Sequence, residues 1–431
     1  MAKAFSTCGS AALLGVVALS AALAGSPAAA LPSGNWPQFH GPRRDNLSTE
    51  TGLLKTWPEG GPRLLWTVSG LGHGFSTVAV SDGVLYTTGN VGDDTVITAL
   101  SPDGKVLWRV ANGPSYERDK PGTRSTPTLD GGRLYHENAE GDIVCLDAKT
   151  GSAVWHVNIV ERFNGRNIRW AYSESLLIDG ANVICTPGGR DVGLAALDKA
   201  TGKTVWTCKG VDDNAGYCSP IVFEHGGLRQ IATLMAKSVV GVSAADGRLL
   251  WKVDHVTPFD ENITSPIYHD GRVFWTTRTT GARLYKLNVG GEACTVEKVW
   301  ATGDLDNQHG GVLLVDGHLY ASCLSASGGP WMCLEFATGK RTCADAGIGR
   351  ASFTWADGML YALNHNRGVA LVRASPSRGR ARPELGPPGG VRRAALRPPR
   401  RLPFLLRCKG AVRFCGLAWE GRRAEVLRTV S

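Results

Sequence analysis

The sequence predicts an all-β fold, a β-propeller built from four-stranded antiparallel blades. Three observations predict it. First, a short apolar stretch, an Asp-Gly turn and a second apolar stretch recur at Asp82, Asp130, Asp179, Asp270, Asp316 and Asp357, with His225 replacing Asp in one copy; the steps are 41–49 residues. Second, a phrase typified by Leu146-Asp147-Ala148-Lys149-Thr150-Gly151 and then Trp155 follows the turn, and returns at Leu197–Gly202 with Trp206. Third, 55 Gly and 13 Trp among 431 residues suit short strands and tight turns, while 43% hydrophobic and 20% charged residues exclude a disordered chain. No helical period competes, and a pair of sandwiches would not keep so steady a step.

Each element follows from local chemistry. Asp-Gly between apolar runs supplies the positive φ angles of a two-residue hairpin turn. In the second copy this gives strands at 126–129, 133–137, 143–147 and 153–157, a four-stranded meander. Such a sheet cannot bury both faces alone, so copies must stack as blades. The repeated Trp is then a wedge between neighbouring blades, with looser copies ending at Trp108, Trp251 and Trp300. Seven blades are recognisable; in the sixth, Cys343 stands where Trp would.

The flanks differ from the body. Lys3, an apolar run at 11–24 and Ala28-Ala29-Ala30 form a signal-peptide pattern over 1–30, cleaved after Ala30, and the run is too short to span a bilayer. The expected protein is therefore exported, to the periplasm or beyond, without a transmembrane span. Arg43-Arg44 follows the apolar run and is not a twin-Arg export signal. Residues 31–62 read as an entry segment, 63–376 as the propeller, and 377–431 as an Arg/Pro-rich tail outside it, of the kind a shifted reading frame produces. The net charge of +9 comes from that tail: residues 373–431 carry +12, and the body is mildly acidic. The charge is therefore no argument for nucleic acid, and none is expected as a partner.

Propeller ligands sit where the loops entering each blade's first strand converge. The polar and aromatic residues there are His73, Arg124, Trp170, Tyr172, Glu174, Tyr217, Asn262, His309 and Arg350, and Glu174 and Arg124 are candidates for an ion pair. No catalytic arrangement, zinc spacing or other metal set is identifiable. Eight cysteines remain between the flanks; Cys208 with Cys218, and two among Cys323, Cys333 and Cys343, are candidates for disulfides.

The Leu-Asp-x-x-Thr-Gly-x-x-x-Trp phrase resembles the tryptophan-docking repeat of the PQQ-like propellers, whose usual form has eight blades. Trp36-Pro37-Gln38-Phe39-His40-Gly41-Pro42-Arg43, Tyr172-Ser173-Glu174-Ser175 and His309-Gly310-Gly311-Val312 are similar to motifs of an exported bacterial, BamB-like subgroup. The resemblance covers roughly residues 35–376. It implies either a monomeric binding or scaffold module of the cell envelope, with an envelope protein or small ligand as partner, or a dehydrogenase using pyrroloquinoline quinone with calcium. The catalytic members carry two adjacent cysteines and a calcium-holding oxygen set. This chain has no Cys-Cys pair and no set matched by position, so the sequence favours the non-catalytic module.

Overall fold

A computed structural model describes residues 34–58, 63–324, 329–364 and 368–374, together with the backbone of Phe404–Cys408, Ala411–Cys415 and Val426–Val430. The leader expected at 1–30 lies outside the described residues. The chain is a β-propeller. Its first six blades are antiparallel four-stranded meanders beginning at Ala79–Ser81, Thr128–Asp130, Leu177–Asp179, Ile221–His225, Ile267–His269 and Leu313–Val315. Blade two has strands Thr128–Asp130, Arg133–Glu137, Asp142–Asp147 and Ala153–Asn158, within two residues of the sequence expectation at every end. Blade seven combines Ala351–Ala356, Met359–Asn364 and Val369–Arg373 with the entry strand Leu47–Ser48, which runs parallel to the first of them.

The eighth sheet differs. Arg63–Val68 pairs antiparallel with Val426–Val430, which runs parallel to Phe404–Cys408, which pairs antiparallel with Ala411–Cys415. The sequence reading put residues 377–431 outside the propeller, whereas the structure gives three short strands of that segment to the sheet of Arg63–Val68. An unpaired edge is a template for any strand, and the mixed order shows that this sheet does not repeat the meander of its neighbours.

The hairpin turns follow two patterns. Asp82, Asp270, Asp316 and Asp357 take φ of 46–50° with the next Gly also positive, as expected. In three copies the turn sits one residue later. Asp130, Asp179 and His225 end their strands, and Gly131-Gly132, Gly180-Ala181 and Gly226-Gly227 make the turn.

The Trp wedges have one recurrent geometry. Asp147 Oδ1 accepts bonds from the Lys149 and Thr150 amides and the Thr150 hydroxyl, which shapes the turn ending at Gly151 (φ 75°). The Trp108 ring of the preceding blade lies on that glycine, where an added Cβ would sit 2.9 Å from the ring. Trp108 Nε1 donates to the Ala148 carbonyl at 3.1 Å. Trp155 does the same to Gly202 and Lys199 O, Trp206 to Gly247 and Ala244 O, and Trp300 to Gly339 and Phe336 O. Trp251 departs from this pattern. Blade five replaces the Thr-Gly turn by the long hairpin Gly281–Gly290 and Ala293–Thr302, so Trp251 stays over Gly241 of its own blade and donates to Gln230 Oε1.

The entry segment ties the ring together from within. Trp36 exchanges both backbone bonds with Val80 of blade one, Pro37 accepts from Leu129 N of blade two, and Asn46 accepts from Trp355 N of blade seven. His40 and Asn46 flank Gly311 at the entry to blade six. The segment therefore spans the opening between the inner strands.

Candidate functional site

A cavity of about 340 Å³ lies where the entry loops meet. Loops leading into blades one to six each contribute, through Phe75, Arg124, Trp170, Tyr217, Thr264 and His309, and Phe39 and His40 line it from the entry segment. Phe39 and His40 stack on each other at 3.7 Å. The cations Lys120, Arg124 and Arg278 line it against one carboxylate, Glu261, which accepts from Arg278 Nη1 at 3.2 Å and Gln308 Nε2 at 3.0 Å.

The walls are preorganised. Arg124 donates to the Gly122 and Lys120 carbonyls and lies over the Tyr116 ring at 4.3 Å and the Phe75 ring at 5.6 Å. Burial pulls its guanidinium down to about 10, so it stays charged at neutral pH. Trp170 is held by its indole bond to Asp119 Oδ2 (2.8 Å) and packs against Tyr217 at 5.7 Å. Its other neighbour is Phe259, 64% exposed, and the Arg169 guanidinium lies 5.0 Å from one ring and 5.3 Å from the other. This is a flat, cationic and aromatic rim.

Of the nine residues singled out from sequence, His73 does not line the cavity and exchanges backbone bonds with Asn90 of blade one; the other eight divide in two. Arg124, Trp170, Tyr217 and His309 line the cavity. Arg350 lines a neighbouring cavity of about 360 Å³ between the loops entering blades six and seven, which shares His309 and Gln308 with the first. The other three are framework. Tyr172 is buried with its hydroxyl on Pro187 O, and Asn262 is buried with its amide donating to the Met235, Ala236 and His255 carbonyls. Glu174 does not pair with Arg124. It is buried, accepting from Thr186 N at 2.7 Å and Thr186 Oγ1 at 2.6 Å.

Sequence reasoning missed what Glu174 does face. Burial, reinforced by the Glu174 carboxyl, holds Glu137 well above the ordinary carboxyl range; burial also raises Glu174, against the lowering effects of Thr186 and the nearby Arg44 charge. Arg44 itself is buried, donating to Gln38 Oε1 and to the carbonyls of Pro220, Ser175 and Leu176. One entry-segment side chain thus joins the approaches to blades three and four. Nothing in a local pattern marks Arg44, because its carbonyl partners lie 131–176 residues away.

The acid pair gives a pH signature. The unfolded chain releases the Glu137 proton near its ordinary value while the folded chain retains it, so stability falls as pH rises through the raised value. Glu137→Gln cannot titrate. Its stability relative to the native sequence is expected to improve by about 1.4 kcal/mol per pH unit across that window, read from urea midpoints between pH 5 and 8. A pH-independent difference would contradict the buried proton.

The dehydrogenase subunit of alcohol dehydrogenase (quinone) from Gluconacetobacter polyoxogenes is 31% identical over 146 residues, 30% of this chain and 19% of that protein. Quinohemoprotein alcohol dehydrogenase ADH IIB from Pseudomonas putida is 28% identical over 167 residues, 36% of this chain and 22% of that protein. The match spans about a fifth of the length of these relatives. Among solved structures, BamB from Moraxella catarrhalis aligns over 72% of this chain and 89% of its own, at 14% identity and a TM-score of 0.49. The family model described as outer membrane protein assembly factor BamB matches residues 92–342, more than half of the sequence, and the chain belongs to that family.

Proposed function

We propose that the chain is a non-catalytic binding module of the cell envelope, exported as a monomer, whose cavity at the ring mouth takes a ligand or partner segment carrying an anionic group on a flat apolar body. The observation that carries this reading is the lining: Phe75, Trp170 and Tyr217 supply flat apolar surface beside Arg124, Lys120 and Arg278, with Glu261 already paired. A few polar groups in an apolar concavity orient a ligand, and the partly buried Arg124, with Lys120 at the rim, selects its charge. No helix among the described residues is long and apolar enough to cross a membrane.

The resemblance to the catalytic PQQ-like propellers implies pyrroloquinoline quinone with calcium. The cationic, aromatic lining suits a flat anion, but the calcium half does not fit. Among the described residues no group of three His, Cys, Asp or Glu is placed to hold a metal, and the cavity's single carboxylate is bound by Arg278 and Gln308. A hard cation needs several oxygens together. These residues therefore favour binding over dehydrogenation.

Fluorescence titration with 8-anilinonaphthalene-1-sulfonate, an anionic flat probe, tests the site. Saturable binding is expected, weakened about tenfold or more by Arg124→Ala and by Trp170→Ala. Equal affinity in both variants and the native chain would reject the cavity as the site.

A further inference from the structure

In blades one to four the Trp of the outer strand lies opposite a small residue on the third strand. Ala99 faces Trp108, Cys145 faces Trp155, Ala196 faces Trp206 and Gly241 faces Trp251. Blade six changes both members of the pair. Cys343 occupies the Trp position, and its register partner is Cys333, beside the same irregularity in the ladder that the other blades show. Directly opposed residues of an antiparallel pair have Cα atoms about 4.5–5.5 Å apart, inside the range a disulfide bridges. Elsewhere among the described residues the ladder partners of cysteines are other residue types: Cys185 faces Ala195, Cys208 faces Leu194 and Cys294 faces Val289. Cys208 and Cys218, paired in the sequence reading, each donate to the carbonyl of the following residue.

We propose that Cys333 and Cys343 are an oxidisable dithiol that closes into a cross-strand disulfide, a covalent tie in the blade, among the first six, that carries no tryptophan at the docking position. Cys333 is fully buried and Cys343 partly exposed, so an external oxidant reaches Cys343 first. With a small-molecule disulfide as oxidant, the Cys343 thiolate attacks one oxidant sulfur, forming a mixed disulfide and releasing one thiol. Cys333 then attacks the Cys343 sulfur, the Cys333–Cys343 bond forms and the second thiol leaves. The protein loses two S–H bonds, and the two protons and two electrons reside on the oxidant as two thiols. The neighbouring Cys343 lowers the Cys333 thiol while Cys333 raises that of Cys343, so Cys343 gives its proton to solvent before it attacks, and Cys333 is the thiol suited to the resolving step. Closure pins the outer strand Arg341–Asp345, whose side chains are exposed or half-buried, to Trp331–Glu335.

The purified full chain is incubated with glutathione disulfide, alkylated with iodoacetamide and mapped by peptide mass spectrometry. The expected product is a peptide pair linked through Cys333 and Cys343, lighter by two hydrogens than the reduced pair. In Cys333→Ser the resolving sulfur is gone, and glutathione is expected to remain on Cys343. Alkylation of both cysteines in the native chain, a lasting glutathione adduct on its Cys343, or linkage of either to Cys323 would overturn the proposal.

Discussion

Replacing Arg44 with methionine is expected to cost about 3–5 kcal/mol of folding stability, the cost of removing one partner from a buried charged network. The guanidinium supplies donors to the Pro220, Ser175 and Leu176 carbonyls at the approaches to blades three and four. Methionine fills the volume and offers none, so Pro220 O and Ser175 O lose these bonds, while Leu176 O keeps the one from the Thr128 hydroxyl. Glu174 also loses the positive charge that lowers its proton affinity and is driven further towards its neutral form. The adjacent Arg43 is the internal control. Its side chain is 57% exposed and pairs with Asp45, so Arg43→Met is expected to change stability by about 0.5 kcal/mol or less. Urea midpoints that fall equally in the two variants would refute a special role for Arg44.

The second large effect is expected at a docking tryptophan. Trp155→Ala removes the ring that covers Gly202 and opens a gap between blades two and three, a loss of about 3–5 kcal/mol. Trp155→Phe keeps most of the contact and removes the indole bond to Lys199 O, a loss of about 1 kcal/mol beyond the change in packing. Gly202→Ala should approach the alanine variant from the other side. Its added Cβ would meet the Trp155 ring at 2.8 Å on a residue held at φ 69°. Val154→Ala on the same strand, 40% exposed, should be near neutral. Thermal unfolding of the four variants ranks them, and a neutral Trp155→Ala would contradict the wedge.

The blades were legible because their determinants are local. An Asp-Gly turn, an Asp-x-x-Thr-Gly turn and a Trp four residues after that glycine each act within a few residues, and blade two emerged almost to the residue. Two features misled. Asp130, Asp179 and His225 carry the turn phrase but end their strands, because the following two residues can take the hairpin conformation themselves. Trp251 keeps the wedge's spacing, yet the next blade lacks the Thr-Gly turn that would receive it. The entry segment was recognisable as a motif but not as the piece that spans the ring, since it has no period and its partners lie far along the chain. Asn46 meets Trp355, and Lys55 pairs with Asp357. The site was half legible for the same reason. Position before a blade's first strand found Arg124, Trp170, Tyr217 and His309, but could not separate them from Tyr172, Glu174 and Asn262, whose polar atoms turn inward to bond backbone or Thr186.

The central claim is that the ring mouth binds without dehydrogenase chemistry, and alcohol-dependent dye reduction tests it most directly. Purified protein is incubated with pyrroloquinoline quinone and calcium, ethanol and an artificial electron acceptor are added, and bleaching is followed against a protein-free control. The account predicts the control rate with and without calcium. Calcium-dependent, ethanol-driven reduction above that rate, lost in Trp170→Ala, would contradict it.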